Sequence, residues 1–244
     1  MKLRIKFRKY GPVRFIGHLD VMRFFQKAIR RAEIDVAYTG GFSPHQVMSF
    51  AAPLGVGLES NGEYVDIEVH AIGSCQEVKD RLNAASVPGI EVVSVKVLPE
   101  DAGNAMASVA AAAYTVRFRE GRNPWADTDA QKRLPELEKL LSEFLAREEI
   151  PYVKETKKGK RECNLRPGIY RLTWDGSAFH MLLNASSAGN VKPVQVITAL
   201  LEECGEVLQD NALSVTREDV YTDIGTEDVM ILTSLGEIGN EQER

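Results

Sequence analysis

Two short segments near the N-terminus each place a histidine among other polar side chains. Gly17-His18-Leu19-Asp20 stands where a predicted helix begins, and Gly41-Phe42-Ser43-Pro44-His45 lies in a loop without periodic apolar residues. Imidazoles and carboxylates in adjoining turns can transfer protons. We therefore take His18, Asp20 and His45 as candidate catalytic residues, with helix capping or core packing as the alternative role. No second cysteine or histidine stands at metal-ligand spacing, so no metal site is predicted.

The N-terminal 31 residues are strongly basic, with ten Lys and Arg against the single acid Asp20. A strand over residues 2–8 would place alternate side chains on one face, and a following helix would align side chains at i, i+4 and i+7. Clustered cations suit a phosphate backbone, whose counterions they displace. The alternative is an ordinary solvated face. The candidate nucleic-acid-binding residues of this segment are Arg4, Lys6, Arg8, Arg14, Arg23, Lys27 and Arg30.

A second basic segment covers residues 150–171, where seven Lys and Arg stand against two glutamates. A lysine-rich hairpin can lie along a phosphate backbone without reading its sequence, or it can simply protect an exposed edge strand. Arg166 precedes Pro167 on an extended backbone, where it can clamp a phosphate or form an ion pair within the fold. The candidates of this segment are Lys157, Lys158, Lys160, Arg161 and Arg166.

The chain as a whole is acidic, because its 30 Lys and Arg are outnumbered by 35 Asp and Glu. Twelve of those acids follow Leu201 and compensate the two basic segments. No apolar run is long enough for a membrane span, and no signal-peptide core is present. Three scattered cysteines favour a reduced, cytoplasmic protein. The sequence has no phosphate-binding glycine loop and no iron–sulfur cysteine run, which disfavours a self-contained cofactor enzyme.

Periodicity predicts the elements that would position these residues. In the first half, strands near 2–8, 47–51, 64–69 and 90–97 alternate with helices near 18–33 and 74–85. This βαββαβ order is that of a ferredoxin-like domain. The second half repeats the theme with one inserted β-hairpin. We therefore predict an α+β protein of two tandem ferredoxin-like domains. The predicted boundaries are 1–98 and 114–222 for the domains, 99–113 for a linker and 223–244 for an acidic tail.

Three short motifs of this sequence match a family pattern: GHLD at 17–20, GFSPH at 41–45 and KKG at 157–159 followed by Arg166-Pro167. Together they resemble the bacterial radical SAM-linked protein family, whose members are encoded beside, or fused to, a radical SAM protein. The resemblance covers most of the chain and is densest over residues 3–69. The chain departs at Gln46, where a proline is common, and at Asn164, where an aspartate is usual.

The resemblance implies a function connected with RNA. It suggests an RNA-binding, substrate-presenting accessory partner of a radical SAM enzyme in tRNA or rRNA modification or processing. The S-adenosylmethionine and the iron–sulfur cluster would then belong to the partner, and this chain would carry no cofactor. We expect neither membrane nor DNA binding, and favour a non-catalytic role. The alternatives are a metal-free endoribonuclease that uses His18, and a protein–protein adaptor without RNA contact.

Overall fold

The computed structural model describes residues 1–125, 130–156 and 159–241. It shows a mixed α+β protein with mostly antiparallel strand pairing, as the α+β prediction requires. The α-helices are α1 (His18–Arg31), α2 (Cys75–Ala84), α3 (Ala130–Ala146) and α4 (Pro193–Glu203). The strands of the first half are β1 (Lys2–Lys9), β2 (Met48–Phe50), β3 (Glu59–Glu68) and β4 (Ile90–Val97). Those of the second half are β5 (Ala111–Phe118), β6 (Pro151–Thr156), β7 (Gly159–Asn164), β8 (Ile169–Trp174), β9 (Phe179–Asn184), β10 (Leu213–Asp223) and β11 (Leu232–Ser234).

The chain divides into two compact units, Met1–Ala110 with Arg217–Arg244 and Ala111–Thr216. In the first unit β1 pairs antiparallel with both β3 and β4, while β2 pairs antiparallel with β3. The C-terminal half of β10 lies beside β3, and β11 pairs with β10. The elements up to residue 97 therefore follow the predicted βαββαβ order, whereas the tandem ferredoxin-like architecture stays a prediction.

Helix α1 forms because its apolar side chains repeat with helical spacing on one side. Val21, Phe25, Ala28 and Ile29 are buried. The Phe25 ring packs against Phe7 of β1, with ring centroids 4.6 Å apart. The cationic side chains of the helix consequently lie on the opposite, exposed side.

The second unit contains the β8–β9 hairpin, which an Asp-Gly pair predicts. Strand β5 pairs antiparallel with β9, and β6 with β7 forms a separate two-stranded sheet. Helix α4 begins at Pro193, the position at which a helix tolerates proline best. No helix within the described ranges is long and apolar enough to cross a membrane.

The C-terminal residues, which their composition predicts to be an acidic tail, contain regular secondary structure. Up to residue 241 they include β11 and a 3-10 helix at Leu235–Glu237. Leu235 is fully buried in the first unit. Asn240 exchanges two backbone hydrogen bonds with Val97 of β4. Ser234 Oγ donates to Asp219 Oδ2 at 2.8 Å, and the Leu235 carbonyl accepts from Arg4 Nη1 at 3.4 Å, so hydrogen bonds as well as burial hold this segment in the first unit.

Candidate nucleic-acid interface

The cations of β1 are paired within the protein. Arg4 is 4% exposed and donates from Nε and Nη2 to the two oxygens of Asp66, each at 2.8 Å. Lys6 Nζ lies 3.0 Å from Asp219 Oδ2. An unpaired buried cation would be costly, so these carboxylates stabilise the strand. This pairing favours a structural role for Arg4 and Lys6.

The next two candidates, Arg8 and Arg14, also have acidic partners. Arg8 Nε donates to Asn61 Oδ1 at 3.1 Å, and its Nη1 lies 3.4 Å from Glu91 Oε2. Arg14 Nη1 lies 3.1 Å from Glu59 Oε1. Of the six Lys and Arg in residues 1–14, four therefore have an acidic partner that follows much later in the chain.

The cations of α1 remain on the surface. Arg23, Lys27 and Arg30 are all exposed, and their spacing places them along one side of the helix. Arg23 approaches Asp20 at 3.4 Å, but both side chains are well solvated, so this pair is weak. Arg30 Nε donates to the Gln26 carbonyl at 3.2 Å, and no residue in the described part of the chain hydrogen-bonds to its two Nη groups.

The loop at residues 38–46 lies against this side of α1. Tyr38 bridges to Gln46, and the Thr39 amide donates to the His45 carbonyl at 2.8 Å, which closes the loop. Gly41 has φ of 99°, a left-handed conformation that suits glycine. Gln46 Nε2 donates to the Gln26 carbonyl at 3.2 Å and so attaches the loop to the helix.

Two aromatic side chains of this loop face solvent. Phe42 is fully exposed, and about half of Tyr38 is exposed. A cavity of about 180 Å³ lies between helix and loop, and its lining residues are Gln26, Arg30, Tyr38, Pro44, His45 and Gln46. We call the exposed residues Arg23, Lys27, Arg30, Tyr38 and Phe42 the α1–loop surface. It combines cations with aromatic rings, the two components of single-strand nucleic-acid sites.

The candidate catalytic residues are not assembled. His18 packs edge-on against the Phe50 ring at 5.0 Å, and burial lowers its pKa. Asp20 points to Arg23, whereas His45 lies beside Gln26 and Arg30. Those two residues follow His18 by two to three helical turns, roughly 12–18 Å along α1. His45 Nδ1 is instead 3.1 Å from Thr39 Oγ1. Three or more acidic, cysteine or histidine side chains in a metal-binding arrangement do not occur among the described residues.

The predicted hairpin exists as β6 and β7, with Lys160 and Arg161 exposed on β7. Lys157 and Lys158 lie outside the described residues. Arg166 donates from Nε to the Leu145 carbonyl at 2.7 Å and from Nη1 to the Ile169 carbonyl at 3.1 Å. It therefore clamps two backbone carbonyls rather than presenting a free guanidinium to a phosphate.

Asn164 organises the turn that follows β7. Its Oδ1 accepts from the backbone amides of Ile150 and Arg166, at 2.9 and 3.0 Å. An aspartate would accept the same two hydrogen bonds. Asn164 Nδ2 also donates to the Glu148 carbonyl at 3.4 Å, a contact that only the amide can make.

A buried charge cluster in the first unit has no signal in the sequence. Arg217 of β10 pairs with Glu63 of β3, and both side chains are buried. Lys9 is 2% exposed, and its Nζ donates to the carbonyls of Arg14 and Ile16 at 3.2 and 3.0 Å. Burial lowers the Lys9 pKa, which the negative charge of Glu63 partly opposes. Sequence reasoning missed this cluster because its members are far apart along the chain.

Comparison with known proteins gives a family but no activity. A search of curated proteins finds no match. A family model described as an uncharacterized protein conserved in bacteria matches residues 2–193, which include α1, the 38–46 loop and the Asn164 turn. The chain therefore belongs to the DUF2344 family.

Proposed function

We propose that this protein binds single-stranded RNA through the α1–loop surface. The observation that carries the proposal is the fully exposed Phe42 ring in a loop attached to a helix whose outer side is cationic. Because the Phe42 ring is solvated, it contributes little to the stability of the fold. Stacking on a base would be worth about 1–3 kcal/mol, and every base offers a face for it.

The aromatic rings favour a single strand over a duplex. In a duplex the bases are stacked on each other, so Phe42 and Tyr38 would find no free base face. The cations Arg23, Lys27 and Arg30 would contact the phosphates, which fixes position without reading sequence. Arg4, Lys6 and Arg14 are left out of this surface because their ion pairs are buried or half-buried. Arg8 is left out because Asn61 and Glu91 both engage its guanidinium.

The bound RNA would be presented to an enzyme that modifies or processes it. The identity of that enzyme as a radical SAM protein is supported by the sequence resemblance alone. In this proposal the partner supplies the S-adenosylmethionine and the iron–sulfur cluster, and this chain supplies RNA binding. An endoribonuclease would need a second proton-transferring group at His18, and no described residue hydrogen-bonds to that ring.

The test is fluorescence anisotropy with a labelled single-stranded RNA 12-mer at several salt concentrations. Three phosphate contacts predict a slope of log K against log salt of about −2. The variant R23E/K27E/R30E should bind at least tenfold more weakly with a flattened slope. R171E, at an exposed position of β8 in the second unit, is the matched control and should bind normally.

Two results would overturn the proposal. One is equal binding by the triple variant and the wild type. The other is equal affinity for the 12-mer and for its duplex. If the protein instead co-purifies with a protein partner after nuclease treatment, and only charge reversal on α1 breaks that complex, the adaptor alternative is supported.

A further inference from the structure

Gln46, one of the residues that line the cavity between α1 and the 38–46 loop, carries a buried hydrogen-bond acceptor that no described residue satisfies. Gln46 is 6% exposed, and no described residue donates to its Oε1. Its Nε2 donates to the Gln26 carbonyl. A flipped amide would set Oε1 against that carbonyl, so the amide orientation is fixed. Unmet buried acceptors are uncommon in folded proteins and call for a physical explanation.

The other groups of the cavity complement this acceptor. Arg30, Tyr38 and His45 also line the cavity, and they carry a guanidinium, a phenol ring and an imidazole ring. A ligand that suits this set has a flat aromatic body, an N–H donor and an adjoining anion. A nucleotide of single-stranded RNA has all three.

We propose that this cavity is a subsite for one nucleobase with an exocyclic amino group, which donates to Gln46 Oε1 while Arg30 holds the adjoining phosphate. This inference rests on the proposed function. Cytosine, adenine and guanine carry such an amino group, whereas uracil does not. Oε1 is covered in the free protein, so the base enters with a small side-chain displacement. The newly satisfied acceptor offsets the cost of that displacement.

The two probes are single-stranded RNA octamers of cytidine (C8) and of uridine (U8). Cytosine and uracil have the same ring size, but only cytosine carries an exocyclic amino group. Wild-type protein should bind C8 about fivefold more tightly than U8, the worth of one hydrogen bond. Q46M keeps the length of the side chain but removes the acceptor. It also removes the Nε2 donor that attaches the loop to the Gln26 carbonyl, so the two probes are compared within the same variant, and the ratio of C8 to U8 affinity should fall from about five to about one.

The outcomes separate this inference from the proposed function. Equal wild-type affinities for C8 and U8, or a preference for C8 that survives in Q46M, overturn the base subsite while RNA binding stands. An equal loss of affinity for both probes in Q46M, with the preference for C8 retained, likewise overturns it, since Gln46 would then only attach the loop. Failure of the wild type to bind either probe overturns the proposed function itself.

Discussion

Arg217 and Glu63 lie 154 residues apart in the sequence and form a two-pronged ion pair inside the first unit. Arg217 Nε and Nη2 donate to the two carboxylate oxygens at 2.7 and 2.5 Å, and the side chains are 5% and 6% exposed. Nη2 also donates to the Ala52 carbonyl at 2.6 Å. The pair attaches the last part of the chain to β3.

Breaking this pair from one side should destabilise the protein strongly. R217M leaves the buried Glu63 carboxylate without its hydrogen-bonded counter-charge, for which about 3–5 kcal/mol is expected. The double variant R217M/E63L removes both charges and should recover most of that loss. Urea unfolding measures the free energy of unfolding of each variant.

The matched control is D20N, which breaks the exposed pair with Arg23 and should cost less than about 1 kcal/mol. If R217M costs no more than D20N, the buried pair does not hold the C-terminal segment.

His18 should make stability depend on pH. Burial lowers its pKa in the folded state from the ordinary value of 6.5. At a pH below 6.5, His18 is protonated to a greater extent in the unfolded chain than in the folded chain. The free energy of unfolding therefore decreases as the pH falls. Urea unfolding at pH 7.5 and 5.5 should show a smaller decrease for H18Q than for the wild type. Equal decreases would contradict the inferred burial effect.

Phe42 should contribute to RNA binding but not to stability. Its ring is fully exposed, so F42A should change the free energy of unfolding by no more than about 0.5 kcal/mol. Loss of one base stack should weaken binding of the RNA 12-mer roughly tenfold or more. V207A, at another exposed apolar side chain, should leave the affinity unchanged. An unchanged affinity of F42A would remove the stacking contact from the proposal.

The turn at Asn164 should accept an aspartate but not an apolar residue. N164D keeps both acceptor contacts to the Ile150 and Arg166 amides, so its thermal unfolding should differ little from that of the wild type. N164L leaves those two amides without their side-chain acceptor and should cost about 1–3 kcal/mol. A strong loss of RNA binding in N164D, with normal stability, would instead indicate that the amide has a functional role.

Local patterns in the sequence determined most of the elements. Apolar spacing identified α1, and Asp175-Gly176 identified the β8–β9 turn. Ser74 and Glu77 stand three residues apart, the spacing of a capping box, and the Ser74 hydroxyl accepts from the Glu77 amide at the start of α2. These features depend on neighbours within a few residues, and the chain carries that information directly.

Only the tertiary structure decided which basic residues are available to a partner. Arg4 and Lys6 look as cationic in the sequence as Arg23 and Arg30 do. Asp66 and Asp219 reach the first two because β3 and β10 lie where they do in the sheet. The charge of a segment is a local sum, whereas ion pairing depends on residues that the fold brings from far along the chain. For that reason α1 and the 38–46 loop, rather than β1, form the candidate interface.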